Sequence, residues 1–135
     1  MPPEDYWPND ITNVTVVTPV SFLREQASFL GAKTNQQLTA EVRALPAIPG
    51  ASFVWSFQLW SPALKNYRYE LFRVTHEITL YPATVTWENN PTRVVRDETQ
   101  LKDQLRTIIG SEQTRKIVQA LLAQVGCEDG DERER

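Results

Sequence analysis

The sequence has few of the residues that most often carry chemistry. It has a single histidine, His76, and a single cysteine, Cys127. One cysteine cannot form an intramolecular disulfide. Zinc sites use three or four histidine, cysteine or carboxylate ligands, and one histidine with one distant cysteine falls short of that set. The five glycines form neither a Walker loop nor a GxGxxG loop for phosphate. The sequence therefore identifies no catalytic residue, no metal ligand and no cofactor site.

Long apolar runs and a strong net charge are also missing. No apolar segment approaches the ~20 residues that cross a bilayer. Residues 1–10 are acidic and rich in proline, without the basic and apolar regions of a signal peptide. The net charge of −3 gives no overall attraction to nucleic acid or to an anionic membrane surface. We expect a cytoplasmic protein that does not bind membranes and has little tendency to bind nucleic acid.

What is present is typical of one soluble globular domain. The chain of 135 residues is 41% hydrophobic, which is enough to bury a core without disulfides or metals. We assign residues 1–10 to a flexible N-terminal arm, residues 11–126 to a single α+β domain, and residues 127–135 to a disordered, charged tail.

The central part of the chain has the patterns of β-strands. Alternation and β-propensity predict strands over residues 11–17, 36–45, 52–60, 67–78 and 79–87. Residues 67–78 also fit helical spacing, but their tyrosine, phenylalanine, valine and threonine content favours a strand. The alternation slips near Leu71–Phe72, and such a slip predicts a β-bulge.

Helix signals flank this central part. Each of three helices is expected to begin at a capping residue and to end at a glycine. The predicted caps and stops are Thr18 with Gly31, Asp97 with Gly110, and Ser111 with Gly126. The fold class is therefore α+β: a four- to five-stranded, mainly antiparallel sheet with an N-terminal helix and a C-terminal antiparallel helix pair.

Aromatic side chains are more numerous than one core requires. Phe53, Trp55 and Phe57 share the predicted core face of their strand, which leaves Trp60 on the other face. Tyr67, Tyr69 and Trp87 add further rings that cannot all be placed in one core. Either a second sheet face carries a binding surface, or helices cover both faces of the sheet.

The first functional hypothesis is a non-catalytic protein–protein interaction module, such as an inhibitor, an immunity or antitoxin-like protein, or an assembly subunit. It would use an aromatic sheet face to bind another protein or a second copy of itself. The support is the aromatic surplus together with the missing catalytic groups. On this view the chain is not an enzyme.

Two alternatives remain open. Aromatic and basic residues alternate at Tyr67, Arg68, Tyr69 and Arg73, as in sheets that stack single-stranded bases and contact phosphates, although arginines that pair across the strand would give the same pattern. A small enzyme or ligand binder would instead place His76 in a pocket between the sheet and the C-terminal helices.

Overall fold

The structure is a computed structural model that describes residues 3–65, 67–87 and 90–134, with side chains described as far as Gly126. The elements follow in this order: α1 (Pro19–Lys33), β1 (Thr39–Leu45), β2 (Phe53–Trp60), a 3-10 turn (Pro62–Leu64), β3 (Arg68–His76), β4 (Ala83–Trp87), β5 (Arg93–Val95), α2 (Glu98–Ile109) and α3 (Glu112–Glu134). The five strands form one antiparallel sheet in chain order, so the predicted α+β fold is confirmed.

The three helices pack on one face of the sheet. Side chains of α1, α2 and α3, such as Leu23, Leu105 and Leu121, share one core with Phe57 and Val74 from the central strands. Burying these apolar side chains supplies the main stabilisation of the fold. The sheet thus has a covered face, which forms the core, and a second face that these helices do not reach. Helices on both faces, one of the two predicted alternatives, are not what the structure contains.

A β-bulge interrupts β3 where the sequence predicts it. Phe57 of β2 is opposite Phe72, but the next residue, Gln58, is opposite Glu70, so Leu71 is the extra residue. Leu71 and Phe72 are both buried, since the bulge turns two consecutive side chains toward the core. Residues 67–78 are therefore mainly strand and not helix.

The helix starts follow the capping signals. The side chains of Thr18, Asp97 and Ser111 each accept a hydrogen bond from the backbone N–H three residues later, at 3.3, 2.9 and 3.1 Å. These bonds satisfy N–H groups that have no partner inside the helix. Gly110 follows α2 as predicted.

Two predicted glycine stops are wrong. α1 continues past Gly31 to Lys33, because the turn that ends it is built by Thr34, whose hydroxyl donates to the Leu30 carbonyl at 3.0 Å. The next residue, Asn35, takes the left-handed conformation, with φ of 53°. α3 likewise continues through Gly126.

The predicted strand over residues 11–17 does not form. Ile11, Val14 and Val16 are 52–76% exposed, and the segment pairs with no strand in the described part of the chain. A strand gains its stability from a partner, and β-propensity alone does not provide one. The short β5, in contrast, was missed.

Some predictions fall outside the described residues. The sequence also predicts a turn or loop over residues 88–91, and residues 88 and 89 of it lie outside, as do the side chains of residues 127–134. The flexible arm over 1–10 and the disordered tail over 127–135 stay predictions.

Candidate functional site

The second sheet face is a surface that the three helices leave uncovered. Alternation along each strand and the antiparallel register decide which side chains point there. We call this surface the open face, and its main residues are Glu41, Arg43, Ser56, Gln58, Trp60, Arg68, Glu70, Arg73, Thr84 and Thr86. Most of these side chains are charged or polar, and Trp60 is the one aromatic ring among them; the register also places apolar side chains on this face, such as Val54 and Val94.

Trp60 lies in the first of two side-chain clusters on the open face. Arg68, directly opposite on β3, places its guanidinium carbon 5.0 Å from the centre of the Trp60 ring. Arg68 Nη2 is 3.5 Å from Glu41 Oε2, and Arg43 Nε is 3.7 Å from Glu41 Oε1. A guanidinium over an indole is a favourable cation–π geometry, and Glu41 fixes its orientation. We call these four residues the Trp60 cluster.

The Trp60 cluster retains an unused hydrogen-bond donor. Arg68 Nη1 is buried and has no hydrogen-bond partner, although Nη2 of the same guanidinium reaches Glu41. Gln58 Oε1, on the same face, is also buried and unpaired. Buried polar atoms are usually hydrogen-bonded, so these two atoms are exceptions to that rule on the open face.

The second cluster owes its composition to the bulge. Glu70 and Arg73 are three residues apart, a spacing that puts side chains on opposite faces of a regular strand. The extra residue, Leu71, brings both to the open face, where Arg73 Nε and Nη2 donate to Glu70 Oε2 at 3.2 and 3.0 Å. Ser56 donates to the same carboxylate oxygen and accepts from Gln58 Nε2 at 3.0 Å. The bulge therefore creates a hydrogen-bonded network of Glu70, Arg73, Ser56 and Gln58, in which Ser56 is fully buried.

The predicted aromatic residues do not gather on one surface. Trp60 is on the open face, but Tyr69 and Trp87 lie on the covered face, partly buried against the core. Tyr67 precedes β3 and is 50% exposed. The open face therefore presents one large aromatic ring among arginines and carboxylates, and the predicted aromatic sheet face is corrected to that extent.

His76 is enclosed on the covered face. It is 5% exposed, and its ring is stacked on Phe53 with 5.2 Å between ring centres. Trp55 Nε1 donates to His76 Nε2 at 2.9 Å, while Nδ1 lies 2.7 Å from the Glu77 carbonyl and donates to it. Both ring nitrogens are therefore occupied in a neutral imidazole. The ligand-binder hypothesis needs an exposed His76 in a concave site, and this geometry does not provide one.

The nucleic-acid hypothesis needs rings and arginines on one face. Arg68 and Arg73 lie on the open face, but Tyr69 points to the covered face. Each of the two arginines also contacts a carboxylate, Glu41 or Glu70. Carboxylates at these positions would repel a phosphate backbone, so the pattern fits arginines that pair on the sheet, Arg68 across strands with Glu41 and Arg73 within β3 with Glu70.

Tyr81 lies beside the start of α2. Burial raises the pKa of its phenol to about 12, and the nearby carboxylates of Glu98 and Asp97 add to the effect. Its hydroxyl is buried without a hydrogen-bond partner. The phenol therefore stays protonated at neutral pH and is not available there as a base.

Sites of other kinds do not emerge from the described residues. Within them, no three histidine, cysteine or carboxylate side chains are grouped so that they could hold a metal ion. No helix there is both long and apolar enough to cross a bilayer. Comparison of the chain with protein-family models, with curated proteins and with solved structures finds no match.

Glu41 and Ser56 are residues of the open face that the sequence did not single out. Alternation along residues 36–45 puts Glu41 on the solvent side of its strand, but its contact with Arg68 depends on the register of three strands. The slip at Leu71–Phe72 was the available signal for Glu70 and Arg73, because a bulge there puts both on one face.

Proposed function

We propose that this chain is a non-catalytic protein–protein interaction module that binds its partner through the open face. The supporting observation is the Trp60 cluster, a half-buried tryptophan beneath an ion-paired arginine on a sheet face that the helices leave uncovered. An inhibitor, an immunity or antitoxin-like protein, or an assembly subunit would all use such a surface.

The energetic argument starts from Trp60 and Arg68. Tryptophan and arginine are enriched among the residues that dominate binding energy, especially where a partner excludes water around them. Arg68 is already held over the ring by Glu41, so little side-chain freedom remains to be lost on binding. A partner that covers the ring would also strengthen the ion pair by excluding solvent.

The charge pattern constrains the partner. The open face carries Arg43, Arg68 and Arg73 beside Glu41 and Glu70, so positive and negative groups alternate over a short distance. A mixed surface of this kind selects a partner by matching individual charges and gives little long-range attraction. It suits a folded protein surface better than a uniformly charged polymer.

Affinity purification with matched variants tests the proposal. Wild-type protein, Trp60→Ala and Phe29→Ala are each used as bait in a lysate of native host cells, and enriched proteins are quantified by mass spectrometry. Phe29 is the control because it is a 50% exposed ring on α1, in the opposite layer. We expect a partner retained by wild type and Phe29→Ala and depleted at least tenfold, which is about 1.4 kcal/mol, by Trp60→Ala.

Two results would count against this function. Equal capture of the same partner by Trp60→Ala and wild type would place the interface elsewhere on the molecule. A protein that captures nothing and stays monomeric at high concentration, measured by light scattering, would remove the interaction itself. Circular dichroism of each variant establishes that loss of binding is not loss of folding.

A further inference from the structure

A groove opens on the helical side of the molecule, in the layer opposite the open face. It lies between α1 and α3, and its cavity volume is about 460 Å³. Leu30 of α1 and Val118 and Leu122 of α3 form its walls, and the groove reaches down to Phe57 and Leu59 of the sheet. Pockets for small molecules have volumes of roughly 300–1,000 Å³, so the groove has the size of a ligand site.

The polar lining of this groove has four neutral side chains, Gln26, Ser111, Thr114 and Gln119, and one charged side chain, Arg115. Gln26 and Gln119 stand on opposite sides, on α1 and α3, and Arg115 is the charged residue of the lining. No aspartate or glutamate lines the groove within the described residues, and Arg115 has no ion-pair partner among them. An apolar cleft with one unpaired guanidinium is complementary to a molecule with an apolar body and an anionic end.

A neighbouring depression continues the groove toward α2. The two share Gln26, Ile109 and Gly110, and the second has a volume of about 360 Å³. Lys102 and Arg106 line it, opposite Glu25 of α1. Arg106 is held by Asp103 at 2.9 Å, and Lys102 lies 5.0 Å from the Phe22 ring centre. Lys102 and Arg106 therefore belong to the neighbouring depression, and Arg115 is the cationic side chain of the groove itself.

We propose that the groove between α1 and α3 binds a small amphipathic carboxylate, such as a medium-chain fatty acid. The apolar chain would lie along Leu30, Val118 and Leu122, and the carboxylate would meet Arg115. Apolar burial drives the binding, while the guanidinium selects an acid over a neutral analogue of the same length. The site is separate from the open face and does not depend on the proposed protein partner.

The test compares octanoate with octanol as probes. Both are titrated into the full chain, and binding is followed by the NMR shifts of the leucine and valine methyl groups. We expect saturable binding of octanoate, about tenfold tighter than that of octanol. Arg115→Gln should remove this preference and leave octanol binding unchanged. Lys116→Gln, the neighbouring exposed position that does not line the groove, should behave as wild type.

A third variant tests the location. Val118→Trp places a bulky indole ring in the wall of the groove and should abolish binding of both octanoate and octanol. Equal affinities of octanoate and octanol in wild type would refute the acid preference, and the absence of saturable binding would refute the site. Undiminished binding in Val118→Trp would place any site elsewhere. If Val118→Trp does not fold, the Arg115→Gln and Lys116→Gln variants still test the acid preference, because both positions are exposed.

Discussion

Replacing Trp55 with phenylalanine tests the structural role assigned to His76. The change removes one hydrogen-bond donor and keeps an aromatic ring in the same place. Trp55 Nε1 donates to His76 Nε2 at 2.9 Å, and His76 is 5% exposed, so water cannot readily replace the lost donor. The other nitrogen, Nδ1, is held by the Glu77 carbonyl, which prevents the ring from changing tautomer without losing that bond.

The magnitude follows from leaving one buried acceptor unpaired. A buried polar group that loses its partner costs about 1–3 kcal/mol, and the smaller ring of phenylalanine adds a packing loss of about 1 kcal/mol. We expect Trp55→Phe to lower the free energy of unfolding by about 2–4 kcal/mol, measured by urea denaturation. The slope of the transition should stay unchanged, since the surface exposed on unfolding is nearly the same.

A double-mutant cycle isolates the hydrogen bond from the packing loss. His76→Phe leaves the Trp55 N–H unpaired, whereas the double variant removes both partners and leaves only two apolar rings. The double variant should therefore lose at least about 1 kcal/mol less stability than the sum of the two single variants. Additive losses, or a Trp55→Phe loss below about 0.5 kcal/mol, would refute the view that His76 is a sealed structural residue.

Two further predictions concern the start of α2. The native Tyr81 phenol has a pKa of about 12 and an ordinary value of 10.0, so its contribution to stability is intact below pH 10 and is lost as the pH rises from 10 to 12. Spectrophotometric titration of Tyr81→Phe should lack the last phenol to ionise, and an unchanged curve would contradict the assignment. Asp97→Ala removes the cap at the Gln100 N–H and should cost about 1 kcal/mol in urea denaturation, while the control Asp103→Ala, a surface ion pair, should cost less than about 0.5 kcal/mol. Equal losses in the two variants would show that the cap contributes nothing of its own.

Local signals in the sequence predicted much of the fold. The bulge at Leu71–Phe72 was visible because an inserted residue shifts the alternation of every residue after it. Asp97 was recognisable as a cap because its side chain bonds within one turn of itself. Most features that depend on neighbours a few residues away were therefore predicted correctly.

Features that depend on distant neighbours were not. Ile11–Val17 has the composition of a strand, but no strand of the described chain lies beside it. Arg93–Val95 forms β5 with only three residues, too few for a pattern, because Val85 and Thr84 of β4 offer it partners. One local signal also failed: Gly31 lies inside α1, because the turn that ends the helix is built by Thr34, three residues later.

The candidate site also has some features that nearby residues determine and others that distant strands determine. Alternation placed Trp60 on the face away from the core, as the structure has it. The strand order and the register set the neighbours of Trp60. They place Arg68 over the Trp60 ring and Glu41 beside Arg68. The register also puts Tyr69 and Trp87 on the covered face, opposite Leu59 and Phe72. The number of rings predicted for the second face was therefore too high.

Site-specific photo-crosslinking in cells tests the central claim most directly. A photoreactive amino acid is placed at Thr86, an exposed position of the open face, and in a parallel protein at Ala120, an exposed position of α3. The interaction account predicts an adduct of defined mass from position 86, lost when Trp60→Ala is added, and none of that mass from position 120. An adduct from position 120 alone, or no adduct from either position, would contradict it.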